Sequence, residues 1–178
     1  DLSRTNSLHP LSEGFIPNSL APYLPIAPQA IHLFSVYVIL KLMQANAGFQ
    51  EIEHTADIAL RVWAASIPEL LEQAAKGMFT ICGVQVNQQS RHQRTFQISF
   101  SDYETLLVHF LSELLYYLEK DNLALERFRI SISEAQVKVT AHGHPVQSIQ
   151  KMIKAVTYHK LEVQVREHGY EAQIVFDI

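Results

Sequence analysis

Two segments of the chain carry apolar residues at helical spacing. The first begins at Ser66 and Glu69, a capping-box pair, and Gly83 marks its C-terminal stop. The second begins at residues 101–104 (Ser-Asp-Tyr-Glu), which also match a capping box. The pattern predicts two amphipathic helices, each with one buried stripe. The stripes consist of Leu70, Leu71, Ala74, Ala75, Met78 and Phe79 in the first helix, and of Leu106, Leu107, Phe110, Leu111, Leu114, Leu115 and Leu118 in the second.

Alternation of apolar and polar residues elsewhere is typical of half-buried strands. It covers residues 48–53 and 58–64 before the first helix and 94–100 between the helices. Because the remaining strands cluster late and do not alternate with helices, we predict an α+β fold. It has a mixed, mostly antiparallel sheet with the two main helices packed on one face, in a two-layer sandwich. The late strands are predicted at residues 125–132, 136–142, 156–165 (as one strand or an interrupted one) and 170–176, with turns at 143–145 (Gly-His-Pro) and 167–169 (Glu-His-Gly).

Residues 1–47 differ from the rest. Five of the seven prolines fall in residues 1–30, which predicts irregular chain there. The apolar stretch at 31–43 is shorter than the roughly 20 residues of a membrane helix, and it ends in Ala-Asn-Ala, which resembles a signal-peptidase site. Three interpretations stay open: a secretory leader, a hydrophobic element packed on the domain, or an upstream extension outside the native protein, with Met43 as the start. We favour the last, with a secreted protein second, and assign the working domain to residues 48–178.

Composition narrows the class of protein. With 178 residues, 48% of them hydrophobic and 18% charged, the chain fits one globular domain. A formal net charge of -4 argues against a protein that holds nucleic acid through a phosphate-binding face of its own. The single cysteine, Cys82, excludes an internal disulfide and a Cys-rich zinc site, and it fits a reducing cytoplasm.

Two isolated aspartates lie among strand-like residues. Asp57 interrupts the segment from Glu53 to Val62, and Asp177 follows a buried-looking strand. Burying a carboxylate among strand residues costs free energy unless a positively charged group lies close to it. If the two strands are neighbours, both carboxylates with a nearby carbonyl or terminal oxygen and waters would suit Ca²⁺ or Mg²⁺. The alternative, which spacing alone slightly favours, is that each aspartate lies at a strand end in solvent.

Other polar residues carry weaker signals. His142 and His144 would share one face of a strand and could bind a transition metal, although a Gly-His-Pro turn argues against that geometry. Lys154 could place an ammonium near a carboxylate cluster or a phosphate, and a solvated lysine is an equal alternative. Glu113 lies off the apolar stripe of its helix, as an exposed charge or a partner contact. The sequence contains no phosphate-binding glycine loop and no hydrolase or zinc-protease motif.

Four blocks in register carry a family resemblance. They are residues 53–58 (Glu-His-Thr-Ala-Asp-Ile), 106–116, 154–159 (Lys-Ala-Val-Thr-Tyr-His) and 176–178 (Phe-Asp-Ile). Over about Gly48 to Ile178 the chain resembles the archease family. The resemblance implies a small α+β protein that is a cofactor protein for the RtcB-type RNA ligase, which joins tRNA halves after intron removal. It implies that the protein promotes guanylylation of the ligase and multiple turnover.

The resemblance also implies specific residues. It places a metal site at Asp57 and Asp177, with Ile178 contributing its main-chain or terminal oxygen and Ca²⁺ expected ahead of Mg²⁺. Lys154 lies in one of the matching blocks and is expected to be a functional contact. Apart from the resemblance, Glu113 and His54 are further candidate contacts, although the strand-like setting of His54 favours a hydrogen-bonded structural residue. The chain departs from the family pattern at His144, where an acidic residue is frequent, and at Phe110 and Ser112, where Trp and Asn are usual.

We therefore expect a cytoplasmic, non-membrane protein without catalytic residues of its own. It would activate the ligase and meet RNA only indirectly, through that partner. Two other classes stay open. A metal-dependent hydrolase or nuclease could use the same carboxylates, although such enzymes usually need a second metal or a base near the attacking water. A chaperone-like interaction protein could carry the acidic cluster for purely structural reasons.

Overall fold

Two helices and nine strands make up the part of the chain that the computed structural model describes, residues 47–53 and 57–178. The helices are α1 (Ile67–Cys82) and α2 (Tyr103–Lys120). The strands before α2 are β1 (Gly48–Glu53), β2 (Ile58–Ala64), β3 (Gln85–Val86) and β4 (His92–Ser99). Those after it are β5 (Leu123–Ser133), β6 (Gln136–Ser148), β7 (Ala155–Thr157), β8 (Val163–Arg166) and β9 (Gly169–Asp177).

The strands form two sheets, and every pairing among the described residues is antiparallel. The first sheet has the order β1-β2-β9-β7, with β8 also paired to β9. In the second sheet, β6 pairs with β3, β4 and β5. The predicted α+β class with mostly antiparallel pairing is confirmed. Strands β3 to β6 form the second sheet, and the last three strands, β7 to β9, return to the first sheet beside β1 and β2.

Helix α1 is set by local capping, as the sequence predicts. The amide of Glu69 donates to Ser66 Oγ (3.4 Å), and the Glu69 carboxylate accepts from the amide of Ala65 (3.2 Å). Gly83 ends the helix in the left-handed conformation (φ 59°), which a residue without Cβ adopts at little cost. Cys82, the last helical residue, is fully buried, and burial raises the pKa of its thiol. A buried thiol of this kind packs as a small apolar side chain.

Helix α2 begins differently from the predicted capping box. Asp102 is the N-cap, and its carboxylate accepts from the amide of Thr105 (2.7 Å). The side chain of Glu104 instead accepts from the amide of Val163 on β8 (2.7 Å). The predicted capping box at residues 101–104 is therefore wrong, because Asp102 is the N-cap and a strand amide far along the chain donates to the Glu104 carboxylate.

The core lies between the helices and the sheets. Helix α1 contacts β1, β2, β9 and β5, and α2 contacts β4, β5 and β7, so each helix packs on strands of both sheets. The largest fully buried side chains come from all of these layers, and each contributes roughly 1.5–3 kcal/mol of burial free energy. They include Leu60 and Phe176 from the first sheet, Leu125 from the second, and Leu71, Met78, Leu107, Phe110 and Leu114 from the helices.

Strand β6 runs straight through the predicted Gly-His-Pro turn. Gly143 pairs with both His92 and Leu125, and a Cβ at Gly143 would lie 1.8 Å from the carbonyl oxygen of Ala124. The turn prediction is wrong because the glycine here permits close approach of β5 and not a reversal of the chain. The predicted segment 156–165 is interrupted, and it forms β7 and β8.

The prediction for the N-terminal extension stays a prediction, because residues 1–46 lie outside the described residues. Within the described part of the chain, neither helix has the length and apolar character needed to cross a bilayer.

Candidate functional site

The structure brings the ends of the two aspartate-bearing strands together. Strands β2 and β9 are antiparallel neighbours, and Ile58 pairs with Phe176. Asp57 immediately precedes Ile58, and Asp177 immediately follows Phe176. Continuing the register by one residue therefore places Asp57 opposite Asp177, at one end of the first sheet.

The buried pair beside the aspartates fixes this end of the sheet. Ile58 and Phe176 are 6% and 0% exposed and face the helices. Because side chains alternate along a strand, Asp177 projects to the opposite face of the sheet, where it is exposed. Asp57 is half-buried. Two carboxylates at adjoining strand ends repel each other unless a positive charge lies close.

Lys154 supplies one positive charge at this end. Strand β7 pairs with β9 through Ala155 and Asp177, and the amide of Lys154 donates to the carbonyl oxygen of Asp177 (2.8 Å). The Lys154 ammonium donates to the main-chain oxygen of Ile178 (2.7 Å). The structure thus gathers Asp57, Asp177, Ile178 and Lys154 at the neighbouring ends of three adjacent strands.

The oxygen atoms of this cluster fit a hard cation. Ca²⁺ and Mg²⁺ take carboxylate and carbonyl oxygens with water in the remaining positions. The two aspartates and the Ile178 oxygen provide such a set, although Lys154 already occupies one lone pair of that oxygen. Within the described residues, no group of three or more His, Cys, Asp or Glu side chains is arranged to hold a metal.

The other two predicted contacts are not part of this cluster as the structure describes it. Glu113 lines a depression beside the edge of β4, with Gln97, His109 and Tyr116, and not the aspartate cluster. Burial raises the pKa of the neighbouring Tyr117, and the Glu113 charge raises it further. His54 lies outside the described residues.

His142 and His144 share one face of β6, but the surroundings argue against a metal. The Nδ1–H of His144 donates to the carbonyl oxygen of Ser90 (2.8 Å). His142 pairs across the sheet with Arg127, a permanent cation that disfavours a metal ion nearby. The weak zinc interpretation therefore finds no support in this arrangement.

A second polar cluster lies on the same sheet and was not predicted. Arg61 binds the carboxylate of Glu171 with two hydrogen bonds (3.0 and 3.1 Å) and lies 5.7 Å from the centre of the Trp63 ring. The bond to Arg61 lowers the pKa of Glu171, and Arg166 adds to that effect. These residues line a cavity of about 570 Å³ with His168. The alternation of Arg61 and Trp63 along β2 was the available signal.

Comparison with known proteins identifies relatives of the whole described domain. The family model described as Archease protein family (MTH1598/TM1083) matches residues 49–178. The chain is 33% identical over 142 residues to the protein archease of Methanosarcina mazei, covering 73% of this chain and 95% of the relative. It is 30% identical over 140 residues to that of Pyrococcus abyssi, covering 73% and 98% of the two chains.

Two solved structures share the fold. A crystal structure from Thermotoga maritima, described as an archease and possible chaperone, superimposes with a TM-score of 0.56 at 23% identity, over 72% of this chain and 96% of the other. The solution structure of protein 1598 from Methanobacterium thermoautotrophicum gives a TM-score of 0.55 at 22% identity, over 74% and 99%. These likenesses establish the fold.

Proposed function

Because the chain belongs to the archease family, we propose that it is an accessory protein that activates an RtcB-type RNA ligase. In this proposal it promotes guanylylation of the ligase and repeated turnover in tRNA splicing or RNA repair, and it carries out no catalysis alone. It works in the cytoplasm and meets RNA through the ligase.

The single observation that supports a shared site is the alignment of Asp57 with Asp177 across β2 and β9. These residues are remote in the sequence, yet the strand register sets them at one sheet end. Lys154, immediately before β7, lies at the same end. A ligase could therefore contact two carboxylates and one ammonium on a rigid support, and rigid placement is what guanylyl transfer requires of the groups around it.

Asp57, Asp177 and the Ile178 oxygen would hold a divalent cation, with Ca²⁺ expected first and Mg²⁺ second. Bound there, the cation would neutralise the two carboxylates and fix the end of the sheet. The residues of this chain would do the rest: the strand pairing orients the aspartates, and Lys154 presents its ammonium to the nucleotide pocket of the partner.

The test measures ligase turnover and the covalent guanylylated ligase with and without this protein. Asp57→Asn and Asp177→Asn keep the size of each side chain and remove one charge each. We expect both substitutions to abolish stimulation. Glu167→Gln is the matched control, because it removes one negative charge from the exposed turn between β8 and β9. Unchanged stimulation by both aspartate variants would rule the proposal out.

Cation binding is tested separately by thermal unfolding with Ca²⁺ or Mg²⁺. A ligand that binds only the folded state adds about 2.7 kcal/mol of stability at 100 times its Kd. We expect the melting temperature to rise for the natural chain and for Glu167→Gln, and to stay constant for Asp57→Asn. An unmoved melting temperature for the natural chain would favour the chaperone-like alternative, in which the acidic pair is structural. RNA cleavage by the isolated protein would favour a nuclease.

A further inference from the structure

The outer face of the second sheet carries basic side chains from two neighbouring strands. Arg127 of β5 pairs with His142 of β6. Arg129 lies two residues from Arg127, and Lys138 lies four residues from His142, so all four side chains project from the same face of the sheet. Val137, Val139 and Ala141 of β6 are fully buried on the other face. We call the exposed side the basic face, defined by Arg127, Arg129, Lys138 and His142, with Arg91 at its margin.

The basic side chains of this face form no salt bridge among the described residues. The salt bridges there involve Arg61, Arg94, Arg166 and His168, and none involves a residue of the basic face. Two acids lie near it in sequence. Glu126, at the bulge in β5, lines a different cavity with Lys76 and Gln150, and Glu134 lies in the turn beyond the end of β5.

The remaining outer positions carry hydrogen-bonding side chains. Strand β4 contributes Gln93, Thr95 and Gln97, and β6 contributes Thr140 opposite Thr95 and Arg129. Arg127 and Arg129 are two residues apart, about 7 Å along the strand, and neighbouring strands lie about 5 Å apart. The face therefore presents positive charge and donors at several points along an extended anionic partner.

The composition favours a nucleic acid over a protein. Protein interfaces have an apolar core, and the paired outer positions from residue 93 to 97 and from 138 to 142 carry no large apolar side chain. Arg, Lys, Ser, Thr and Gln are the side chains that contact phosphates. Phe128 borders the depression of about 380 Å³ on this face, but its ring packs on Phe110 in the core, with centroids 5.4 Å apart. No aromatic ring is thus offered there for stacking on bases.

We propose that the basic face binds the phosphate backbone of a nucleic-acid strand directly, without reading its bases. The overall charge of -4 conceals this face, because three of the 14 lysines and arginines (Arg127, Arg129 and Lys138) lie on it, with Arg91 at its margin, and no acid occupies its paired outer positions. Net charge alone predicts no phosphate-binding face, and the binding experiment below decides between that expectation and this proposal. The inference goes beyond the proposed function, in which RNA is met only through the ligase, and it does not depend on it.

The test is fluorescence anisotropy of a labelled RNA hairpin and of a DNA hairpin of the same sequence, with the full chain and no ligase, from about 50 to 200 mM salt. Arg127→Gln/Arg129→Gln removes two cations from the basic face. Each phosphate contact contributes about -0.7 to -0.9 to the slope of log affinity against log salt concentration. Loss of two contacts should therefore weaken binding roughly 25- to 60-fold at about 0.1 M salt. The slope against salt should also become shallower, by about 1.4–1.8.

The matched control is Lys120→Gln/Lys151→Gln, which makes the same change in net charge at exposed positions on α2 and after β6. It should bind almost as the natural chain does. Equal binding of the two hairpins supports recognition of phosphates alone, and preferential RNA binding supports added contacts to ribose hydroxyls on the same face. The proposal is overturned if the natural chain binds neither hairpin at low salt, or if the two double variants weaken binding equally. Asp57→Asn should bind the hairpins as the natural chain does. Hairpin binding therefore tests the basic face separately from the ligase proposal, which the aspartate variants test.

Discussion

The ammonium of Lys154 lies 2.7 Å from the main-chain oxygen of Ile178, and the amide of the same lysine holds the carbonyl of Asp177. The residue that immediately precedes β7 thus holds the end of β9 and the residue after it at two points. The same ammonium stands beside the oxygen atoms that would hold a divalent cation. Lys154 therefore both fixes this end of the sheet and opposes a second positive charge there.

Replacing Lys154 with Gln should tighten Ca²⁺ binding. Loss of a positive charge about 5 Å from a divalent ion in a water-like medium is worth a roughly tenfold gain in affinity. Isothermal titration calorimetry with Ca²⁺ measures this, and Lys151→Gln, at another exposed position, should change it little. The melting temperature without metal should fall only slightly, since exposed contacts of this kind contribute at most about 1 kcal/mol. Unchanged or weaker Ca²⁺ binding would show that the ammonium does not oppose the cation.

Replacing Glu72 with Gln should stabilise the protein at neutral pH. Burial raises the pKa of Glu72, with Glu69 adding to the rise and Lys76 opposing it. A raised carboxyl pKa means that the folded state prefers the protonated form. The associated stability is present below the unfolded pKa, about 4.3, and is lost as pH rises through the folded value.

Thermal unfolding at several pH values checks this sign. The Glu72→Gln variant should melt higher than the natural chain at pH 7, and the difference should vanish below about pH 4. Glu119→Gln, an exposed carboxylate on α2, serves as control. A lower melting temperature for Glu72→Gln at pH 7 would contradict the prediction.

Replacing Gly143 with Ala should disrupt the pairing of β5 with β6. The new methyl group would meet the Ala124 carbonyl at 1.8 Å, and backbone on that side cannot rotate away as a side chain can. Overpacking against movable side chains costs about 1–3 kcal/mol, so we expect a loss of about 3 kcal/mol or more. Urea denaturation measures it. Gly48→Ala is the control, since its methyl would press on the half-buried Trp63 ring, which can shift, and it should cost less.

Replacing Glu104 with Ala should weaken the attachment of α2 to β8. The Glu104 carboxylate accepts the partly buried amide of Val163, and an amide left without an acceptor costs about 1–3 kcal/mol. Glu104→Gln keeps an acceptor oxygen and should recover most of the loss. Hydrogen exchange at the Val163 amide gives the local readout. Faster exchange in Ala than in Gln is expected, and equal rates in both would indicate that the contact carries no weight.

Features set by neighbouring residues could be predicted from the sequence. Ser66, Glu69 and Gly83 act on backbone groups within one helical turn, so the bounds of α1 followed directly. Glu104 fits the same local pattern but does not cap its helix, because its carboxylate accepts a hydrogen bond from the amide of Val163, 59 positions away. Gly143 fits a turn when only its sequence neighbours are considered. The close approach of β5, which lies elsewhere in the sequence, shows why a side chain is excluded there.

The candidate site divides along the same line. The sequence marked Asp57, Asp177 and Lys154 as polar residues at strand ends, and hydrophobic periodicity alone determined the α+β class and the two helix stripes. Only the tertiary structure decided that β2, β7 and β9 are neighbours, and that the cations of β5 and β6 share one face apart from the acids. Periodicity is a local property, governed by the backbone repeat of each element. Strand order and register depend on how separate elements bury their apolar faces together, and that free energy belongs to no single segment.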